Sequence, residues 1–286
     1  MATLKTIRRR ISSVRNTQQI TKAMKMVSAA KLRRAQEAVL RARPYAEKMT
    51  ALLKNLSARV SAEDHPLLVA REEKRADLLL ITADRGLCGG YNANLIRTAE
   101  GFLRSHTPQV QISLNIVGRK GGNYFQRRNV KTADRHLDAW SRLAEELAAE
   151  LAEKVMRRFL GAESDAVYIL YSRFRSAISQ VPTLNKLIPL ATGEEEGEEQ
   201  PTEYLFEPGV EELLATFLPK VIEMGIYRAL LEAAASEHAA RMTAMDSATT
   251  NAGEMIDRLT LQMNRARQAS ITRELLEVIS TGEALK

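Results

Sequence analysis

The chain has 286 residues, with 42 Lys plus Arg against 35 Asp plus Glu, and 45% of it is hydrophobic, enough to bury a core and to exclude a disordered, tail-like protein. One cysteine, Cys88, and four scattered histidines exclude an internal disulfide and a thiolate zinc site, and make a reducing compartment the default. Only 5% of the residues are aromatic, in a background of Ala, Leu, Met, Arg and Glu that favours long helices.

The net charge of +7 is unevenly placed. Residues 1–59 carry fifteen Lys and Arg against Glu37 and Glu47, a net +13, while the rest of the chain nets −6. An extended positive arm therefore needs its own explanation. An Arg-rich start resembles a mitochondrial presequence, but the same amphipathic pattern continues to Val60, which argues against it. No apolar stretch follows Arg8 as in a secretory signal, and no run approaches the about 18 apolar residues of a membrane span, so a chain without direct membrane insertion is expected.

From Leu4 the apolar residues keep a 3-then-4 spacing: Leu4, Ile7, Ile11, Val14, then Leu32, Ala35, Val39, Ala42, Ala46, Met49, Leu53, Leu56 and Val60. That is the seam of a long heptad helix, about 90 Å over 1–59 at about 1.5 Å per residue, with Pro44 as an expected bend. Between the two halves the seam positions are polar (Gln18, Thr21, Lys25, Ser28), and the apolar residues move to Ile20, Ala23, Met24 and Val27. There the apolar stripe faces something other than a partner helix.

The middle of the chain changes period. The runs 76–82 (ADLLLIT), 110–117 (VQISLNIV) and 166–172 (AVYILYS) read as buried strands, with 184–190 (LNKLIPL) as an edge strand limited by Pro182 and Pro189. Helical stretches fall near 92–105, 121–127 and 137–160, so residues 74–190 are expected to form an inserted α/β sheet domain of Rossmann-like type. The acidic run 192–200 (TGEEEGEEQ) reads as a solvated loop, part of a connector over 191–208.

A second heptad seam runs from Val210 through Leu214, Phe217, Val221, Met224, Leu231, Ala235, Met242, Met245, Ala252, Ile256, Leu259 and Met263 to Ala266, with a kink expected at Pro219 and a stop at Thr281-Gly282. After Ala266 the stripe slips to Ile271, Leu275, Val278 and Ile279. The two seams belong either to separate surface helices of a larger bundle or to one antiparallel coiled coil of 1–60 with 209–286. Heptads sustained this long demand a partner seam and favour the coil.

Candidate catalytic groups are sparse. The loop 84–90 (DRGLCGG) sits between a strand and a helix, where a phosphate loop would, but Tyr91-Asn92 follow in place of Lys-Ser/Thr, and neither it nor Gly118-Arg119-Lys120-Gly121-Gly122 has the Gly-x-Gly-x-x-Gly spacing. Cys88 reads either as a nucleophile at a helix start or as a tucked-in structural cysteine, and no His lies near it in sequence. Asp84-Arg85 reads as an ion pair or a helix cap. No cofactor, metal or self-contained catalytic site is expected. A nucleic-acid binder would use the positive arm, but only Tyr45 interrupts it and no aromatic interleaving exists, so nucleic acid is not an expected partner.

Particular strings then point to a family. The segments 20–27 (ITKAMKMV), 31–36 (KLRRAQ), 84–90 (DRGLCGG), 179–182 (SQVP), 236–242 (SEHAARM) and 264–272 (NRARQASIT) with Glu274 resemble, in order and across the chain, the gamma subunits of F-type ATP synthases. The resemblance implies a non-catalytic rotor shaft, one copy per three alpha and three beta subunits, with the epsilon subunit and the membrane c ring as further partners. It implies that Ile20, Lys22, Met24, Lys25 and Val27 face the ring of alpha and beta subunits. It further implies that Arg267, Gln268, Thr272 and Glu274 contact a beta loop, and that Ile271, Leu275 and Ile279 form part of a bearing. Tyr204, Phe206 and Glu207 fall in the segment that approaches the c ring and epsilon, where Phe206 replaces the tyrosine expected of the family. The paired-cysteine insertion of the chloroplast form is missing, so thiol control is not expected. The implied place is peripheral, on the cytoplasmic face of a bacterial inner membrane.

Overall fold

The computed structural model describes residues 4–57, 65–130, 132–190 and 210–284. Its contacts gather into two compact units, one made of Met1–Ser28 with Arg241–Lys286 and the other of Ala29–Ala240. Two long helices, α1 (Leu4–Ser57) and α5 (Val210–Ala284), supply residues to both. Neither Pro44 nor Pro219 ends its helix, and α5 runs past the stop expected at Gly282.

The Ala29–Ala240 unit is built on a five-stranded sheet of order β3-β2-β1-β4-β5, formed by β1 (Arg75–Ile81), β2 (Gln111–Val117), β3 (Thr132–His136), β4 (Ala166–Phe174) and β5 (Gln180–Ile188). Four strands are parallel, and β5 pairs antiparallel with β4 at the edge. Three helices connect them: α2 (Tyr91–His106), α3 (Arg119–Arg127) and α4 (Ala144–Leu160). Both faces of the sheet are covered, which is why the central strands are continuous apolar runs. On one face Leu78, Leu80, Leu114 and Ile116 pack with Leu95, Ala99 and Phe102 of α2 and Phe125 of α3. On the other, Leu79, Ile81, Val167 and Ile169 pack with Leu147, Leu151 and Phe159 of α4 and with Leu218, Ile222 and Ile226 of α5.

Two expected elements needed correction, and one element was not expected. The helix expected over 137–160 begins only at Ala144, because residues 139–141 form a short 3-10 turn after Asp138, whose φ of 58° breaks a helical run. The edge strand starts at Gln180 and takes in Pro182, which an edge strand tolerates because one side of its ladder is unpaired. The strand β3 was not anticipated: its sequence TADRH carries no apolar run, since it lies on the opposite edge.

Two polar contacts fix this layer. Asp77, buried in β1, receives a two-pronged bond from Arg158 of α4 at 2.8 and 3.0 Å; burial pushes the Asp77 carboxyl above its ordinary value, and the Arg158 fork opposes that. His136, at the end of β3, has Nδ1 at 3.6 Å from Glu150 Oε1, and its buried Nε2 has no hydrogen-bond partner. Burial and the nearby Lys154 hold the His136 pKa below its ordinary value, against the pull of Glu150 and Asp134.

Candidate interaction faces

Within the Met1–Ser28 and Arg241–Lys286 unit, α1 and α5 run antiparallel. Gln18 Nε2 donates to Thr249 O at 3.4 Å, the hydroxyls of Thr21 and Thr249 are 2.8 Å apart, and Lys25 Nζ lies 2.6 Å from Asp246 Oδ1. The seam does not rotate away in its polar stretch: Thr21 and Ser28 are buried, and Gln18 and Lys25 are half-buried. Thr21 and Ser28 continue the seven-residue series of Ile7 and Val14, and Gln18 and Lys25 that of Leu4 and Ile11, with small or flexible polar side chains.

Keeping the seam polar turns the apolar residues outward. Ile20 is 60% exposed and Val27 57% exposed, with Met26 beside them. Lys22 is exposed, while Met24 is half-buried. Lys25 differs from its neighbours because its ammonium is engaged by Asp246; with both groups about half exposed, the pair contributes no more than about 1 kcal/mol.

At the other end of α5 every residue from 271 to 281 is exposed. Ile271, Leu275 and Ile279 recur at four-residue spacing on one side of that helix, with Ile271 49% exposed and Leu275 58% exposed, and Leu276 and Val278 widen the stripe. Arg267 and Gln268 are exposed on the turn before it, Thr272 donates to Gln268 O at 3.0 Å, and Ser270 donates to Glu274 Oε1 at 3.1 Å. Both bonds stay within the helix itself. Contiguous exposed apolar surface of this kind marks an interaction site. The sequence reading omitted Met26 and Leu276. Their signal was the neighbouring apolar residues, Val27 beside Met26 and Leu275 beside Leu276. Tyr204, Phe206 and Glu207 lie outside the described residues, as does the acidic run 192–200.

The sheet's own crevice is closed to a nucleotide. Strand order reverses between β1 and β4, the place where doubly wound sheets bind phosphates at their carboxyl ends. Here α5 fills it: Tyr91 Oη donates to Ala233 O at 3.3 Å, Ser236 Oγ donates to Ser172 O at 2.8 Å, and Ala240 packs beside α2. Asp84 is a cap, one of its two readings: its Oδ1 accepts from the N–H of Arg119, the first residue of α3, at 2.9 Å. Cys88 is buried and its sulfur accepts from Asn92 Nδ2 at 3.1 Å, the environment of a structural cysteine. Gly118 has φ +94°, and a Cβ there would lie 2.1 Å from Thr82 O, so glycine serves a close backbone crossing rather than a phosphate.

A family model described as ATP synthase matches residues 3–285. Among curated proteins, the ATP synthase gamma chain of Geotalea daltonii is 51% identical over 287 residues, and that of Pelotomaculum thermopropionicum is 48% identical over 286, each alignment covering all of both chains. A chain in the central stalk and c ring of the Tetrahymena thermophila mitochondrial ATP synthase is 27% identical with a TM-score of 0.63, covering 80% of this chain and 99% of that one. A chain of the Euglena gracilis mitochondrial ATP synthase, 21% identical with a TM-score of 0.69 over 99% of this chain and 94% of that one, shares the fold.

Proposed function

Because the chain belongs to the ATP synthase gamma-chain family, we propose a division of labour among its parts. The chain is a rotor subunit of an F-type ATP synthase, a non-catalytic part of that enzyme. Residues 1–60 with 209–286 serve as an antiparallel shaft, 74–190 as an inserted α/β domain and 191–208 as the connector. The face around Ile20, Lys22, Met24, Lys25 and Val27 and the cluster Arg267, Gln268, Thr272 and Glu274 meet beta subunits, and Ile271, Leu275 and Ile279 form part of the bearing. Tyr204, Phe206 and Glu207 stand towards the c ring and epsilon. One copy serves three alpha and three beta subunits, peripheral to the cytoplasmic face of a bacterial inner membrane. Among the described residues no helix is long and apolar enough to cross a membrane.

The observation that carries the contact assignment is the exposed apolar stripe on the last turns of α5, which has no reason to stay apolar in an unassembled chain. Its mechanism is population shift. A shaft with different side chains at each azimuth touches each beta subunit differently, and each orientation favours a different conformation at each catalytic site. The test is reconstitution. Purified alone, the chain hydrolyses no ATP; mixed with alpha and beta subunits it enters an ATPase in a ratio of one to three to three. Robust hydrolysis by the isolated chain, or an active ring that leaves it behind, overturns the proposal.

A further inference from the structure

The end of β3 carries a histidine that its surroundings accept in only one charge state. The His136 side chain is 10% exposed, and its Nε2 is buried with no hydrogen-bond partner. Whichever nitrogen bears the single proton of the neutral ring, charging the ring puts an N–H on both. Nε2 then becomes an ionised donor enclosed without an acceptor, and such a group costs more than an unpaired neutral nitrogen. The charged groups around the ring do not compensate. From α4, Glu150 Oε1 lies 3.6 Å from Nδ1, but Glu150 is already shared by Arg142 at 2.6 Å and Lys154 at 3.1 Å. On β3 itself, Asp134 is engaged by Lys154 at 3.3 Å. Burial first and Lys154 second therefore outweigh the two carboxylates, with Arg142 adding to the repulsion.

The residues that follow His136 tie the carboxyl end of the sheet together. Gly118 N donates to His136 O at 3.0 Å, and Asp138 N donates to Asp84 Oδ1 at 3.3 Å. The Asp138 carboxylate pairs with Arg119, and Trp140 Nε1 donates to Thr82 O at 2.9 Å. The turn 137–141 is thus pinned to the start of the loop after β1, and His136 is the residue from which it departs. We propose that His136 is a proton-operated latch: neutral and seated, it holds the turn 137–141 against Thr82 and Asp84, and on taking a proton its ring leaves for water and frees that turn. The exposed tenth of the side chain shows that the seat borders solvent, so a rotamer change suffices to carry the ring out. The device lies within the Ala29–Ala240 unit, is independent of the rotor assignment and operates in the unassembled chain.

Trp140 is the chain's single tryptophan and sits in the turn itself, so its fluorescence reads the latch directly. The test is an acid titration of the purified chain, following Trp140 emission and its quenching by acrylamide, with far-UV circular dichroism alongside. As pH falls from 6.5 to about 5, a red shift and a several-fold rise in quenching are expected while the circular dichroism holds. His136→Asn and His136→Gln should remove this transition, and His65→Asn should leave it. Lys154→Gln takes away a cation and should move the midpoint to higher pH; Glu150→Gln takes away an anion and should move it to lower pH. A Trp140 signal that stays flat until the circular dichroism collapses overturns the proposal. So does a midpoint that is the same in the His136, Lys154 and Glu150 variants as in the native chain. Should neither His136 variant fold, the opposed shifts of the Lys154 and Glu150 variants decide the matter, and equal midpoints in those two reject the latch.

Discussion

The hydroxyls of Thr21 and Thr249 lie 2.8 Å apart and each also reaches a carbonyl of its own helix, Thr21 that of Gln18 at 3.0 Å and Thr249 that of Met245 at 2.7 Å, so a seam position that sequence pattern marks as a lapse is a bonded layer between two helices. Around it Ser28 is buried and Lys25 reaches Asp246, and Ile20 and Val27 are left outside. The polar layer and the outward apolar face are one arrangement, since a helix has only one side to give to its partner.

The first prediction concerns that layer. Thr21→Val leaves the Thr249 hydroxyl with only Met245 O, at 2.7 Å, and Thr249→Val leaves that of Thr21 with only Gln18 O, at 3.0 Å, so each loses the bond between the helices and costs about 1 kcal/mol of stability. The double variant is expected to cost clearly less than the two combined, because both ends of the bond are then apolar. Urea denaturation of the four proteins gives the answer, and strict additivity would show that the contact carries no coupling.

A second prediction tests the backbone crossing at the end of the sheet. Gly118→Ala must place a methyl against Thr82 O in a left-handed conformation that alanine resists, and is expected to destabilise the Ala29–Ala240 unit by about 1–3 kcal/mol or more. Gly101→Ala on α2, where no atom lies within 4 Å of the new methyl, should stabilise by up to about 1 kcal/mol. Equal effects at the two glycines, measured by thermal unfolding, would contradict the packing argument.

Acid should weaken the α4 side of the sheet. The His136 pKa is lowered from 6.5 by burial first and by Lys154 second, so the folded chain binds fewer protons there than the unfolded chain. The stability this contributes is present above pH 6.5 and is lost as pH falls below it towards the depressed value. His136→Asn should therefore flatten the decline in urea midpoint between about pH 7 and pH 5; His65, whose pKa burial also lowers, keeps part of the slope. An unchanged slope in the variant would show that His136 titrates as in the unfolded chain.

The exposed stripe makes the opposite kind of prediction. Replacing Ile271, Leu275 and Ile279 together by serine should change the stability of the isolated chain by no more than about 0.5 kcal/mol per site, because none of them is buried. The same variant should lose most of its coupling between ion flow and ATP synthesis once assembled into vesicles. Full coupling with normal assembly would remove the stripe from the mechanism.

How far this was legible from sequence varies with the element. The heptad seams were, down to the exposure of Ile20 and Val27, because burial of one helix face imposes a spacing on the residues themselves. The central strands were legible for the same reason. The strand β3 was not, since TADRH sits on an edge and needs no apolar face, and Pro182 hid the true start of β5 by reading as a boundary. Nothing in the strings around Tyr91 and Ala233 announced that α5 crosses the carboxyl end of the sheet, because that contact is made through a backbone carbonyl.

The central claim is that this chain turns inside a ring. The most direct measurement fixes alpha and beta subunits to a surface, attaches a visible probe to the chain through a cysteine placed at exposed Ile178 in a Cys88→Ala background, and supplies ATP. Sustained rotation in one direction that stops when ATP is withdrawn is the expected result. A complex that hydrolyses ATP at full rate while the probe only fluctuates about one angle would contradict it.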